Sequence, residues 1–297
     1  MIILDWTDPQ DGIHQILSWN WRTHGRALPL AWVTVRKDRL ADRQRATEIA
    51  LVKRVAGLWL RSCHPILLAD RGFGAQEIFE ALDAWGWDWI IRVKGSTPSE
   101  IRPGVWRPLL LWAKSRPVLR DLLSVRYGKS YGKQAYRLRM VVWAQKGYPD
   151  PWYVAVSAGL SATTWPAPWI TAAYGQRFTT EECFRDEKND WYEGFQLDGV
   201  KLGTPERWDR LLWVFAWAYY GLNVGGWARE RLGKDREWRA NTVTTHRTHA
   251  LWRLGSWGLV KGQLVWRTLW RYQTDFRRKI PALIPTRMER SMGDVIT

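Results

Sequence analysis

The sequence contains little cysteine and little histidine. Only two cysteines occur in 297 residues, Cys63 and Cys183, and neither has a neighbour at the spacing of a metal-binding pair. The five histidines include His246 and His249, which have no cysteine or carboxylate beside them in the sequence. These absences argue against a disulfide framework and against a zinc finger, and they predict reduced thiols.

Long hydrophobic runs are also absent. The longest apolar stretch, residues 211–227, is short for a bilayer span and contains Asn223 and three glycines. We expect a buried helix there that ends near Gly225 and Gly226. The opening MIILDW has an acid and no basic segment, so no signal peptide is predicted and no membrane partner is expected.

Negative charge is scarce relative to positive charge. The chain has 45 Lys and Arg against 29 Asp and Glu, which gives a net charge of +16. This surplus favours a polyanionic partner, most simply nucleic acid, although a basic soluble protein of another kind has the same composition. Hydrophobic residues make up 46% of the chain, enough for a core, and some of the 24 tryptophans are available for base stacking.

The order of predicted elements indicates an α/β fold. Apolar runs predict strands at 2–5, 13–19 and 27–35, a helix at 42–60, a strand at 64–73, a helix at 75–86 and a strand at 87–95. A meander of three strands followed by alternating units predicts a mixed sheet with flanking helices.

The composition and the predicted secondary structure change after residue 95. Residues 96–165 contain several prolines, among them Pro98, Pro103, Pro108 and Pro117, and short alternating runs, which predict a β-rich insertion. Helical patterns follow at 169–188, 205–232 and 244–272, and residues 281–297 are predicted to be loosely ordered. We therefore divide the chain into 1–95, the insertion 96–165, a second helical part 166–280, and a tail 281–297.

An acid follows each of two predicted strands. Asp5 ends the first strand and Asp70 ends the strand after the first long helix, where open sheets form their binding crevices. An aspartate in such a place is more often a turn former or a helix cap. Asp8 and Asp11 are also close enough in sequence to compete with Asp5 for any role.

A third acid belongs to a distinctive stripe. If residues 169–188 form one helix, then Tyr174, Arg177, Glu181 and Lys188 lie within about 60° of one another. The simpler interpretation is a solvated helix face with an Arg177–Glu181 surface pair.

Together, the three acids suit metal-dependent phosphoryl transfer. Asp5, Asp70 and Glu181 could hold two Mg²⁺ ions, because magnesium prefers hard carboxylate oxygens and two ions stabilise an in-line displacement. Nearby cations would then hold a phosphodiester beside the metals. The candidates are Arg177, Arg185 and Lys188.

The spacing Tyr174, Arg177, Glu181, Lys188 reads Y-x2-R-x3-E-x6-K. On this signature the sequence resembles the bacterial DDE transposases of the IS-4-like insertion-sequence group. The segments IILDWTD and LLADRGF resemble those that carry the first and second catalytic aspartates, and GRALPLAW, WIIRVKG and RLLWVFAWAYYGL also have counterparts. The resemblance extends from residue 2 to about residue 230.

This resemblance implies a catalytic core with a ribonuclease-H-like fold, interrupted by a β-strand insertion between the second Asp and the Glu. It implies that Asp5, Asp70 and Glu181 bind two Mg²⁺ ions, for which Mn²⁺ can substitute. It also implies that Tyr174, Arg177 and Lys188 hold DNA phosphates near the scissile bond. The implied reaction is hydrolysis at the transposon end, followed by attack of the freed 3′-OH on a second strand.

The implied partners are double-stranded DNA, as transposon ends and as target, and a second copy of the chain in a synaptic complex. The implied location is the bacterial cytoplasm, with the nucleoid. Relatives carry a helical DNA-binding segment before the first Asp, whereas only four residues precede Asp5, so we expect that segment to be lacking. Two alternatives stay open: a nuclease of the same fold that does not join strands, and an inactive truncated form that only binds DNA.

Overall fold

The computed structural model describes residues 1–58, 64–112, 118–128, 135–145, 150–188, 194–240, 242–262 and 267–278. Its strands are β1 (Ile2–Thr7), β2 (His14–Arg22), β3 (Ala27–Arg36), β4 (Ile66–Ala69), β5 (Asp88–Arg92), β6 (Pro98–Arg102), β7 (Val105–Pro108), β8 (Val118–Tyr127), β9 (Tyr136–Ala144) and β10 (Trp152–Val156). Its helices are α1 (Gln44–Leu58), α2 (Gln76–Ala84), α3 (Ala167–Gly175), α4 (Phe178–Lys188), α5 (Pro205–Arg231) and α6 (Leu251–Val260), and residues 267–278 are also helical.

All ten strands belong to one mixed sheet, in the order β3-β2-β1-β4-β5-β10-β9-β8-β6-β7. The first three strands form an antiparallel meander, and β1, β4 and β5 are parallel neighbours at the centre. The predicted α/β fold with a mixed sheet and flanking helices is therefore confirmed.

Helices cover both faces of the central strands. On one face Leu4 and Trp89 pack with Val52 of α1 and Phe79 of α2. On the other face lies a second core cluster, which includes Ile3, Leu68, Ile90, Ile170 of α3 and Phe215 of α5. Because successive strand residues point to opposite faces, burial of both faces explains why β4 reads as the unbroken apolar run ILLA.

The residues between 96 and 165 contribute strands, as their composition predicts. These strands do not form a sheet of their own, because β10 pairs antiparallel with β5 through Val154 and Arg92. The sheet thus crosses the predicted boundary at residue 95 without a break, and the five strands β6–β10 extend its edge.

The prediction of one helix over residues 169–188 was wrong. Two helices, α3 and α4, meet at Gln176 and Arg177, where the backbone N–H groups bond to carbonyls three residues back, in Ala173 and Tyr174. This tight turn redirects the chain, so Tyr174 and Glu181 lie on different helices. The side chain of Arg177 extends from the junction.

The predicted end of α5 near Gly225 and Gly226 was also wrong, since the helix continues to Arg231. Gly226 instead permits close helix packing: a Cβ there would lie 1.8 Å from the carbonyl oxygen of Leu251 in α6. The helix predicted to start at 244 starts at Leu251. Residues 263–266, the tail 281–297 and Cys63 lie outside the described residues.

Within the ranges given above, no helix combines the length and the apolar character needed to cross a bilayer.

Candidate active site

Two of the predicted acids lie at the carboxyl ends of neighbouring central strands. Strands β1 and β4 are parallel, and Leu4 is the register partner of Ala69. Asp5 is the next residue on β1, and Asp70 is the first residue after the end of β4. The Asp70 carboxylate accepts a hydrogen bond from the backbone N–H of Gly72 at 2.8 Å. Asp70 therefore does cap the turn that follows β4, which is the structural role that an aspartate at such a place commonly has.

Arg177 connects the first acid to the third. Its Nη1 donates to Oδ2 of Asp5 at 3.1 Å, and its Nη2 donates to Oε1 of Glu181 at 2.6 Å. The Arg177 side chain is only 9% exposed, that of Asp5 is 13% exposed, and that of Glu181 is 49% exposed. We call this pair of contacts the arginine bridge; it spans from the sheet to the first turn of α4.

The electrostatics of Asp5 reflect this crowding. Its pKa is raised to about 7, first by burial and then by the charges of Asp70 and Glu181, while Arg177 and the backbone N–H of Trp6 oppose the rise. The pKa of Arg177 is raised as well: burial would lower it, but Tyr174, Asp5 and Glu181 outweigh that effect. Asp5 thus senses both of the other predicted acids.

The arrangement differs from a preformed metal cage. In the part of the chain that the structure describes, no three His, Cys, Asp or Glu side chains lie close enough together to hold a metal ion. The guanidinium of Arg177 donates hydrogen bonds to one carboxylate oxygen of Asp5 and to one of Glu181. The groups that Arg177 contacts are carboxylate oxygens, the ligand type that Mg²⁺ prefers, so their chemistry fits that ion.

Lys188 reaches the same strand from the last turn of α4. Its Nζ donates to the Thr7 hydroxyl at 2.6 Å, two residues beyond Asp5 on β1. Burial lowers the pKa of Lys188, and nearby acids including Glu187 and Asp8 oppose that shift. This cation is therefore held near the predicted acids.

Tyr174 and Arg185 are placed differently. Tyr174 is 1% exposed, with its ring edge-on to Trp152 at 4.9 Å and its phenol in contact with Arg177. Arg185 is 58% exposed and pairs with Glu182 at 3.0 Å. The described contacts bring Tyr174 to the arginine bridge, but they do not bring Arg185 to the acids.

The competing acids near Asp5 have other partners. Asp8 pairs with Lys37 at 2.7 Å at the surface. The Asp11 side chain is 2% exposed, lies 2.6 Å from the ring Nδ1 of His14, and accepts from the indole of Trp208 at 2.9 Å. Asp5 is therefore the acid of this segment that faces Arg177.

A buried glutamate supports the loop that carries Asp70. Glu48 of α1 accepts from the Trp6 indole at 2.9 Å and pairs with Arg45 at 2.5 Å, and Arg45 also donates to the carbonyl of Gly72. These contacts connect α1 to both β1 and the Asp70 turn. Amphipathic spacing predicted the helix, but nothing in the sequence indicated this polar contact.

Sequence reasoning missed a group of cations beside Asp70. A cavity of about 570 Å³ is lined by Arg71, Arg92 and Lys94, together with Asp150 and apolar residues. Arg71 follows Asp70 directly, and Arg92 ends β5, the next parallel strand. Open α/β sheets form their binding crevices at the ends of strands. The position of Arg92 and Lys94 in the segment WIIRVKG, at the end of a predicted strand, is therefore a sequence signal for these cations. We call this the basic cavity.

This geometry agrees with the comparison to known families. A family model described as a transposase DDE domain matches residues 23–198, more than half of the chain. The protein therefore belongs to the transposase DDE domain family. The matched region contains Asp70, Glu181 and Lys188, whereas Asp5 lies before it. A comparison with curated proteins found no match.

Proposed function

We propose that this protein is a DNA transposase that cleaves phosphodiester bonds at transposon ends and joins the freed 3′-OH to a second strand. The observation that carries the proposal is the arginine bridge between Asp5 and Glu181, adjacent to Asp70 and next to the basic cavity. Acids grouped at the end of parallel strands, beside surplus cations, suit a polyanion that undergoes metal-assisted chemistry.

The strand order supports a finer assignment of the fold. The segment β3-β2-β1-β4-β5 is an antiparallel meander followed by two parallel strands, the pattern expected of a ribonuclease-H-like core. The Y-x2-R-x3-E-x6-K spacing supports membership of the IS-4-like group. The homodimer and the nucleoid-associated cytoplasmic location stay predictions.

We assign Asp5, Asp70 and Glu181 as the ligands of Mg²⁺, with Mn²⁺ as a substitute. When bound, the metal would supply a Lewis acid for the phosphoryl group and lower the pKa of an attacking water. The pKa of Asp5, raised first by burial and then by Asp70 and Glu181, fits this role, because a nearby cation stabilises a buried carboxylate that lies beside other acids.

The other residues have roles that follow from their surroundings. Arg177 pairs with Asp5 and Glu181, and it would be free to contact phosphate if these carboxylates held a metal instead. Tyr174, which is buried against Trp152, positions Arg177. Lys188 and the cations of the basic cavity hold the DNA backbone, which contributes sequence-independent affinity.

Cleavage of supercoiled plasmid in Mg²⁺ or Mn²⁺ tests this function. Wild-type protein should nick or linearise the plasmid, and Asp70→Asn and Glu181→Gln should each lower the rate at least about 100-fold, as loss of a catalytic group typically does. Asp8→Asn is the matched control, because that acid is paired with Lys37 at the surface. Cleavage that survives Asp70→Asn would remove the assignment, and cleavage without strand joining would identify a nuclease.

A further inference from the structure

A chain of hydrogen bonds joins the Asp5 carboxylate to the Asp70 carboxylate through residues that have no part in the proposed chemistry. Arg177 contacts Oδ2 of Asp5, whereas Oδ1 accepts from the backbone N–H of Trp6 at 2.9 Å. The indole of the same tryptophan donates from Nε1 to Oε1 of Glu48 at 2.9 Å. Glu48 on α1 therefore holds the residue that in turn holds one oxygen of Asp5.

The chain continues from Glu48 to the turn that follows β4. Oε2 of Glu48 accepts from Nη1 of Arg45 at 2.5 Å, and Nη2 of the same guanidinium donates to the carbonyl of Gly72 at 3.1 Å. The N–H of Gly72 then donates to Oδ1 of Asp70 at 2.8 Å. Five hydrogen bonds thus run without a break from one carboxylate to the other.

Pairing within the sheet does not by itself determine where Asp70 lies. Strand β4 ends at Ala69, which is also its last register partner for β1, so Asp70 stands beyond the paired part of the strand. A Cβ at Gly72 would lie 3.0 Å from Oδ1 of Asp70, so the turn closes tightly on this carboxylate. Because Arg45 donates to the same turn, it is placed to set how the turn lies relative to β1.

Glu48 is itself held in one geometry. Its side chain is 0% exposed, and its two oxygens accept from three donors, with Trp6 and Gln44 on Oε1 and Arg45 on Oε2. A buried carboxylate that loses its partners is costly, so burial keeps these hydrogen bonds formed. An exposed ion pair would impose no such constraint.

We propose that Glu48 and Arg45 are positioning residues, which set the separation of the Asp5 and Asp70 carboxylates and thereby the affinity of the metal site assigned to them. This inference rests on the proposed function. Two metal ions about 3.5–4 Å apart need ligands in matching positions. Groups that hydrogen-bond to metal ligands commonly change metal affinity roughly 10–100-fold when they are replaced.

Calorimetric titration with Mn²⁺, without DNA, tests this role. Glu48→Gln keeps the volume of the side chain but removes one of its two acceptor oxygens, and Trp6→Phe removes the indole donor. Each should lower the Mn²⁺ affinity about 10-fold without changing the number of ions bound at saturation. In the double variant Glu48→Gln/Arg45→Gln the affinity should fall no further than in the weaker single variant, because both changes break the same chain.

Arg139→Gln is the matched control for loss of a buried arginine. Arg139 on β9 also joins a carboxylate to a backbone carbonyl, since it donates to Asp121 at 2.6 Å and to the carbonyl of Leu160 at 2.8 Å. Its replacement should lower the free energy of unfolding, measured in urea, and leave the Mn²⁺ affinity unchanged. If Glu48→Gln does not fold, Trp6→Phe still breaks the chain, because Trp6 is only partly buried.

The possible results separate this proposal from the proposed function. Wild-type Mn²⁺ affinity in both Trp6→Phe and Glu48→Gln overturns the positioning role, as does an equal loss of affinity in Arg139→Gln. Losses that add in the double variant show that Glu48 and Arg45 do not act through one chain, and they overturn it too. A wild type that binds no Mn²⁺ overturns the assigned metal site itself, which is a different result from binding that the variants leave unchanged.

Discussion

Replacing Arg177 with alanine should destabilise the fold in a way that grows with pH. In the wild type the pKa of Asp5 is about 7 against an ordinary value of 3.8, so the folded chain holds this proton more tightly than the unfolded chain does. The contribution of Asp5 to stability therefore falls as pH rises from about 4 to about 7, and it levels off above that pH. Arg177 is what limits the rise of this pKa, because it donates to the carboxylate at 3.1 Å.

The size of the pH-dependent loss of stability depends on how far the pKa of Asp5 rises when Arg177 is removed. Without Arg177 the pKa of Asp5 rises further, and a carboxyl that stays protonated at pH 9 forfeits about 1.4 kcal/mol for each pH step above 7. Through Asp5, Arg177→Ala should therefore lower the free energy of unfolding by almost nothing at pH 6 and by at most about 3 kcal/mol at pH 9. A further loss that does not depend on pH comes from the packing of the Arg177 side chain against Phe178 and Tyr174.

Urea denaturation at pH 6 and at pH 9, in EDTA, measures this difference directly. Arg185→Ala is the matched control on the same helix, because its pair with Glu182 is largely exposed and should contribute less than about 1 kcal/mol at either pH. The reasoning is refuted if Arg177→Ala costs the same free energy of unfolding at both pH values, or if Arg185→Ala costs as much.

Three further perturbations test separate parts of the structure. Burial raises the pKa of Glu187 to about 7, so stability should fall between about pH 4.5 and pH 7, and Glu187→Gln should recover about 3 kcal/mol at pH 8 in urea titrations; a variant with the wild-type pH profile contradicts this. Lys94→Gln should lower the slope of log affinity for duplex DNA against log salt concentration by about 1, whereas Lys53→Gln on α1 should leave that slope unchanged. Equal slopes in the wild type, Lys94→Gln and Lys53→Gln would count against DNA binding at the basic cavity. Gly226→Ala should cost roughly 3 kcal/mol because α5 and α6 must separate, whereas Gly221→Ala has open space and should be neutral or stabilising; thermal unfolding that ranks them the other way excludes the packing argument.

The sequence predicted the sheet well because strand signals are local. Apolar runs predicted β1, β2 and β3, and the ILLA segment predicted a buried strand, within a few residues of the observed bounds. The break between α3 and α4 was missed even though Gly175, the last residue of α3, is of the residue type that most favours a helix end. Gly226 was read as a stop because its contact with Leu251 exists only after α5 and α6 pack.

The candidate site could be predicted only in part, because some of its contacts also form only when distant segments pack together. The Arg177–Glu181 pair follows from a spacing of four residues on a helix, but the contact of Arg177 with Asp5 joins positions 172 apart. Tyr174 has the spacing of a surface stripe and is nevertheless buried, since α3 turns it toward Trp152. Spacing indicates which residues share a segment, whereas the partner across the sheet decides what each one faces.

The central claim is that Asp5, Asp70 and Glu181 form one metal site, and counting bound Mn²⁺ tests it most directly. Electron paramagnetic resonance of free Mn²⁺, titrated against the purified protein without DNA, gives both the number of ions and their affinity. We expect saturable binding in the wild type that falls at least about 10-fold in affinity in Asp5→Asn, Asp70→Asn and Glu181→Gln alike, and that is unchanged in Asp8→Asn. Binding that is equal in all four variants and the wild type would contradict a shared site for these three carboxylates.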